Sequence, residues 1–177
     1  VQSTIKELKE LKIEPNYSEK VSLPDNLKNL KKQLDQAKVM IVIADKNKNK
    51  IKDIKIGDII FRQQTVTDLP SKELRKIVDQ GKKEIKSGLI IACCTYEGKI
   101  GVAVGVTEKL IEKYNAIKLV KEAAEILGGK GGGGRKDFAQ AGGVNKDKIE
   151  EVFKTLAKIF LHKIFKIIGF FVAAISK

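Results

Sequence analysis

Residues 128 to 143 read GGKGGGGRKDFAQAGG and hold eight of the chain's fifteen glycines. A backbone this rich in glycine exposes N–H groups in close succession, and such groups cradle phosphate or carboxylate oxygens. Lys130, Arg135 and Lys136 add positive charge to the segment, and Gln140 adds an amide. Glycines let a polyanion's backbone come close, and the basic side chains neutralise it. The chemistry expected of Lys130, Gly131, Gly132, Gly133, Gly134, Arg135, Lys136 and Gln140 is therefore the holding of an RNA backbone. Two nucleotide motifs come near and fail. Gly129–Gly134 matches GxGxxG, but the run follows a helical pattern where a dinucleotide fold needs a strand. A Walker A loop ends on Gly-Lys-Ser/Thr, and Gly134-Arg135-Lys136 lacks the hydroxyl. Glycine loses the most entropy on ordering, so the segment is expected to be neither helix nor strand. A flexible linker is the competing reading. Asp137-Phe138-Ala139-Gln140-Ala141 is not linker composition, however, and strong helical patterns flank the segment.

Groups able to make or break bonds are scarce. The single histidine, His162, sits among Phe160, Leu161 and Phe165 and reads as an incidental helix residue. No HxxxH or Cys/His cluster suggests a metal site. Cys93 and Cys94 are adjacent, so on a strand they point to opposite faces, neither bridging each other nor sharing a metal. They read as small buried hydrophobes in a reducing, cytoplasmic setting. No catalytic residue, metal or cofactor is expected in this chain.

The elements that position the glycine segment follow from the periodicities. Val1, Ile5, Leu8 and Leu11 share one face of a short helix that Pro15 ends. After Ser22-Leu23-Pro24-Asp25, the series Leu27, Leu30, Leu34, Ala37, Ile41, Ala44 has coiled-coil spacing. Val39–Ile43 alone resembles a strand, yet the heptad runs through it, so one helix to about Lys50 is expected. A basic run follows, in which Lys46, Lys48, Lys50, Lys52 and Lys55 are either contacts to an RNA backbone or a solvated face.

The period then changes. Asp58–Val66 reads as a strand, Pro70–Lys86 as a helix and Gly88–Thr95 as a nearly all-apolar, doubly covered strand. Glu97-Gly98 turns into a third strand, Lys99–Val106. Thr107 caps a short helix, Ala116–Leu127 forms another, and Asn145 caps the last, which carries Ile149, Val152, Phe153, Leu156 and Phe160 on one face. The fold class is α+β: a helical hairpin or coiled-coil piece over 1–50, a mixed β-sheet domain with helices packed on it over 51–168, and an apolar tail over 169–177.

The balance of 35 Lys and Arg against 22 Asp and Glu gives a formal charge of +13. It suits nucleic acid or an anionic membrane surface, and a merely solvated lysine-rich surface is equally compatible. Residues 159–177 are too interrupted by lysine for a membrane span. An extended core helix breaking at Gly169, an interfacial or oligomer-forming segment and a shifted reading frame each account for them. The chain opens at Val1 inside a helical pattern, as expected of a piece of a longer protein.

The glycine segment resembles the signature of the carboxy-terminal, DHH-associated domain of alanyl-tRNA synthetases, a domain shared with DHH-type phosphoesterases. Val106-Thr107 and Leu119-Val120-Lys121-Glu122-Ala123-Ala124 extend the resemblance, which covers about Asp58 to Leu156. Lys136 stands where many members have proline, and Phe138 where many have methionine. The resemblance implies tRNA as partner, tRNA-Ala in particular, and a role in helping aminoacylation and editing domains act on one tRNA. It implies that ATP and zinc serve the parent protein outside this chain. A phosphoesterase substrate-binding domain is the alternative, but its members present a histidine at the end of the glycine motif, where this chain has Arg135. A dimerisation module using the Leu27–Ala44 seam or the apolar tail is compatible with either, giving a homodimer.

Overall fold

A computed structural model of the protein describes residues 1–45 and 47–175, with side chains through residue 165. The chain divides into two compact units, Val1–Asn47 and Lys48–Lys177. In the first, α1 (Gln2–Glu10) and α2 (Leu23–Ala44) form a hairpin. Leu8 packs with Leu30 and Leu34. Glu7 pairs with Lys38, while the Gln33 side chain bonds the backbone of Glu14 and Asn16. Rising numbers on α1 and its exit thus meet falling numbers on α2, so the helices run antiparallel. Ser22 caps α2 by accepting from the Asp25 N–H, and buried Asn26 latches the loop through the carbonyls of Ser18 and Val21. Leu30 and Leu34 of the heptad seam are spent on α1.

The second unit is built on a six-stranded mixed sheet in the order β1-β2-β3-β4-β6-β5. The strands are β1 (Asn49–Ile56), β2 (Ile59–Thr67), β3 (Gly88–Tyr96), β4 (Lys99–Val106), β5 (Gly132–Gly134) and β6 (Phe138–Gly143). Only β2 and β3 are parallel, joined by the crossover helix α3 (Leu74–Ile85). The other neighbours are antiparallel, and β1–β2 and β3–β4 turn through Gly57-Asp58 and Glu97-Gly98. Glu97 and Gly98 both have positive φ, as a type I′ turn demands.

One sheet face buries Phe61, Ile91, Cys93, Val102 and Val104 against α4 (Ala116–Ile126) and α5 (Ile149–Ile175). Phe61, Tyr114 and Phe160 stack in a tilted row, and the Tyr114 hydroxyl donates to the Phe160 carbonyl at 3.0 Å. The other face receives α3 at very short range. A Cβ on Gly105 would lie 2.2 Å from Val78 Cγ1, and one on Gly101 2.4 Å from Ser71 Oγ. Cys93 and Cys94 are buried on opposite faces, as alternation requires.

Several expectations are corrected. Helix α2 stops at Ala44, and Lys50, Lys52 and Lys55 of the basic run lie on the strand β1 instead of on a helix end followed by a loop. That strand is fixed by pairing along all of β2 and by buried Arg62, which grips Asp53 and Glu84. Residues 132–134 and 138–143 are strands too, although glycine entropy argued against any strand there. The pairing of β6 with β4 and of β5 with β6, together with tight packing, offsets that cost. Neither Thr107 nor Asn145 makes a side-chain cap; the Thr107 hydroxyl instead accepts from Gly88 N–H and donates to its carbonyl. Helix α5 runs through Gly169 to Ile175 without a break.

Gly105→Ala should destabilise the protein by about 1–3 kcal/mol through overpacking against Val78. Urea unfolding of Gly105→Ala, Val78→Ala and the double variant tests it. The double variant should regain much of the loss, and strictly additive costs would contradict direct contact.

Candidate nucleic-acid interface

The glycine segment is a β-hairpin held at its base, its tip and along one side. At the base, Gly128 adopts φ +71 and ends α4. Its N–H donates to the Glu125 carbonyl at 3.1 Å, and that of Gly129 to Ala124 at 2.7 Å, which is a Schellman cap. The Leu127 carbonyl then accepts from the N–H groups of both Val144 and Asn145 as the chain returns. Gly129 and Gly143 are bare because a Cβ would strike Gly142 O at 2.0 Å and Leu127 Cβ at 2.4 Å.

Along its side, β6 pairs with β4 from Gly105↔Phe138 to Ile100↔Gly143. At the tip, Arg135 and Phe138 exchange backbone bonds across the loop Lys136-Asp137. Both loop carbonyls are taken: Lys136 O by the Ala116 N–H and Asp137 O by the Val106 N–H, each at 2.9 Å. A linker has no such anchors.

The strand β5 lies at the sheet's edge, with β6 its sole neighbour in the ladder. Backbone groups on its outward side are available to a ligand. Gly131, Gly133, Gly134, Lys130, Arg135, Lys136 and Gln140 are exposed, and Gly132 is half-buried. Beside them, between the hairpin and the start of α3, lies a pocket of about 300 Å³. Ser71, Leu74, Gly131, Gly132, Gln140 and Gly142 line it. The glycines differ in what the fold asks of them. On Gly132 and Gly134 a Cβ would strike β6 backbone oxygens at 2.5 and 2.3 Å. Gly133 has an ordinary φ and nothing within 4 Å of where a Cβ would sit. Its bareness leaves the approach to β5 open.

Charge around the tip is ordered by one carboxylate. Asp137 accepts from Arg135 Nε at 3.1 Å and from Lys82 Nζ at 3.3 Å. Burial raises its pKa, but the bonds from Arg135 and then Lys82 outweigh that and hold it below the usual carboxylate value. Arg135 is thus a positioned cation. Phe138 turns its ring under Arg75, whose guanidinium lies 5.3 Å from the centroid.

The second basic set is not brought to this site. Lys50, Lys52 and Lys55 are exposed on β1, at the opposite edge. Five strand spacings of about 4.8 Å separate β1 from β5, roughly 24 Å. Lys50 and Lys52 share the face of Phe61, and Lys55 the other. Lys48 pairs with Asp68 at 2.8 Å, and Lys46 lies outside the described residues. Among the described residues no group of three His, Cys, Asp or Glu comes together to hold a metal, and no helix is long and apolar enough to cross a membrane. Sequence reading missed Arg75, Lys82 and the lysines near it. In a chain with 35 basic residues their spacing on α3 carried no distinguishing signal.

Comparison with known proteins agrees with this geometry. The DHHA1 domain profile matches residues 63–161. An alanine–tRNA ligase of Rhodopseudomonas palustris is 37% identical over 142 residues, covering 77% of this chain and 16% of that protein. One from Bradyrhizobium diazoefficiens is 44% identical over 104 residues, covering 58% and 12%. The chain thus spans about a sixth or less of the curated relatives it matches. The crystal structure of the C-Ala domain from Aquifex aeolicus alanyl-tRNA synthetase superposes with a TM-score of 0.57 at 31% identity, covering 61% of this chain and 96% of that one.

Asp137→Asn should cost stability at neutral pH. The native pKa is lowered, so the charged pair stabilises above the unfolded value of about 3.9 and is lost as pH falls through the native one. Urea unfolding from pH 7 to pH 2.5 should show variant and wild type converging in acid. A difference independent of pH would contradict the pairing.

Proposed function

This chain belongs to the DHHA1 domain family, in the form that alanyl-tRNA synthetases carry at their carboxy end, and from that premise we propose that it binds tRNA with its glycine hairpin. The observation that carries the reading is a rigid edge strand, β5, flanked by Lys130, Arg135 and Lys136, and bare at Gly133 where the fold requires nothing. Backbone N–H groups and basic side chains together suit a phosphodiester backbone, and a net charge of +13 draws one in. The tRNA is tRNA-Ala, given the alanine–tRNA ligases among its relatives.

Within such a ligase the domain holds the tRNA while aminoacylation and editing proceed elsewhere on the protein. ATP and zinc are used there, and this chain is catalytically silent. What supports the silence is chemical. Both thiols are buried with pKa values pushed up by desolvation, far from the thiolate state a nucleophile needs. His162 is exposed on α5, and among the described residues no hydrogen bond or ion pair orients it as a base. Gly134 is followed by Arg135 and not by the histidine of the phosphoesterase pattern.

Binding of this chain to tRNA across a salt series tests the reading. The slope of log K against log salt should be steep, and shallower by about 1–2 in Arg135→Ala/Lys136→Ala. Gly133→Ala should weaken binding several-fold with an unchanged melting temperature. Equal affinity for tRNA, duplex DNA and heparin, with an unaltered slope in the double variant, would reduce the claim to generic basicity.

A further inference from the structure

Near the β5–β6 tip, a second concavity opens between the last turn of α3 and the segment after β4. Its volume is about 420 Å³, and four lysines line it: Lys82, Lys83, Lys86 and Lys109. Like charges gathered on one concave wall repel, so the arrangement needs a reason. Within the protein the compensation is thin. Asp137 pairs with Lys82 but is shared with Arg135. Glu108 is the other carboxylate on the wall. Lys83, Lys86 and Lys109 make no ion pair among the described residues.

Basic residues in the last turn of a helix complement its dipole, which would account for Lys82 and Lys83. That does not account for Lys109, which comes from the segment after β4. Nor does it account for the conformation of Lys86. Its φ is +58 and ψ −44, and the flanking Ser87 N–H donates to the Ile85 carbonyl at 2.6 Å. This is a γ-turn of the strained hand, centred on a lysine where glycine would fit more easily. Two residues on, the fold does use glycine, because a Cβ on Gly88 would meet Ile60 O at 1.9 Å. The floor is built as well. The Lys82 side chain is only 18% exposed, fixed by Asp137, and its stem passes over Gly105. No aromatic ring lines the pocket, so nothing there would stack on a base.

We propose that this pocket binds a phosphate group, with Lys82 as the fixed cation of the floor and Lys83, Lys86 and Lys109 closing on it from the rim. The group arrives either on RNA, as a phosphate beyond those held by the hairpin, or as a free polyphosphate anion. The chemistry is shared, and the site does not depend on the tRNA reading.

Amide and lysine-ammonium NMR of the whole chain, titrated with sodium pyrophosphate at constant ionic strength, tests it. Saturable shifts should concentrate at Lys86, Ser87, Thr107 and Lys109. Lys83→Ala/Lys86→Ala/Lys109→Ala should weaken pyrophosphate at least tenfold. Lys86→Gly, which relieves the turn, keeps the fold and should weaken it less. Shifts that do not saturate, or that spread equally to Lys118 and Lys121 of α4, overturn the proposal whatever the triple variant does. So does a folded triple variant with unchanged affinity. Adding tRNA then separates the sources: displacement of pyrophosphate assigns the site to RNA phosphate, and simultaneous binding assigns it to a free anion. A chain that binds pyrophosphate there but no tRNA would sink the RNA reading and leave this site standing.

Discussion

Strand β4 satisfies its backbone on both sides, pairing with β3 and with β6, while its two faces meet very different neighbours. Ile100, Val102 and Val104 fill the core beneath α4 and α5. Gly101 faces the turn before α3 and Gly105 faces α3 itself, where a Cβ would collide with Ser71 and Val78 respectively. That short helix-to-sheet distance sets the geometry of everything functional. It brings the start of α3 beside the hairpin, sets Arg75 over Phe138, and lets Lys82 reach Asp137 across the strand. A thicker side chain on β4 would lift α3 and dissolve both pockets together. Close packing of this kind is unforgiving of even one added methyl.

The hairpin shows how glycine can make a stiff element. Its backbone freedom is used at Gly128, Gly131 and Gly134, where φ is positive, and Gly129, Gly132, Gly134 and Gly143 are bare because neighbours leave no room. The anchoring bonds to Ala116 and Val106 come from α4 and β4, so the tip inherits the rigidity of the core. Rigid donors bind an anion without the ordering cost a flexible loop would meet. Asp137 does the same for charge, holding Arg135 and Lys82 apart from each other and in place.

Much of this was legible in the residues. The heptad and its proline start gave α2, the continuous apolar run gave β3 as a doubly covered strand, and Glu97-Gly98 gave its turn. The alternation of Cys93 and Cys94 placed them on opposite faces. What was hidden was hidden for physical reasons. An edge strand such as β1 has few side chains to bury, so its lysines masked the alternation, and the heptad in Val39–Ile43 pointed past its start. Strand β5 is specified by ladder bonds and by the absence of side chains, and β6 by ladder bonds on both its sides, to which hydrophobic periodicity is blind. The lysine pocket joins α3 to residues more than twenty positions later, a juxtaposition that only the crossover topology creates.

The sheet also separates two basic surfaces that look equivalent in sequence, Lys50, Lys52 and Lys55 on β1 and the hairpin cations beside β5. A single RNA contact cannot treat them alike. Hydrogen–deuterium exchange of the chain with and without tRNA distinguishes the edges directly. Added protection is expected over residues 130–136 and at Gln140, with none over 50–55. Protection confined to 50–55, with the hairpin unchanged, would contradict it.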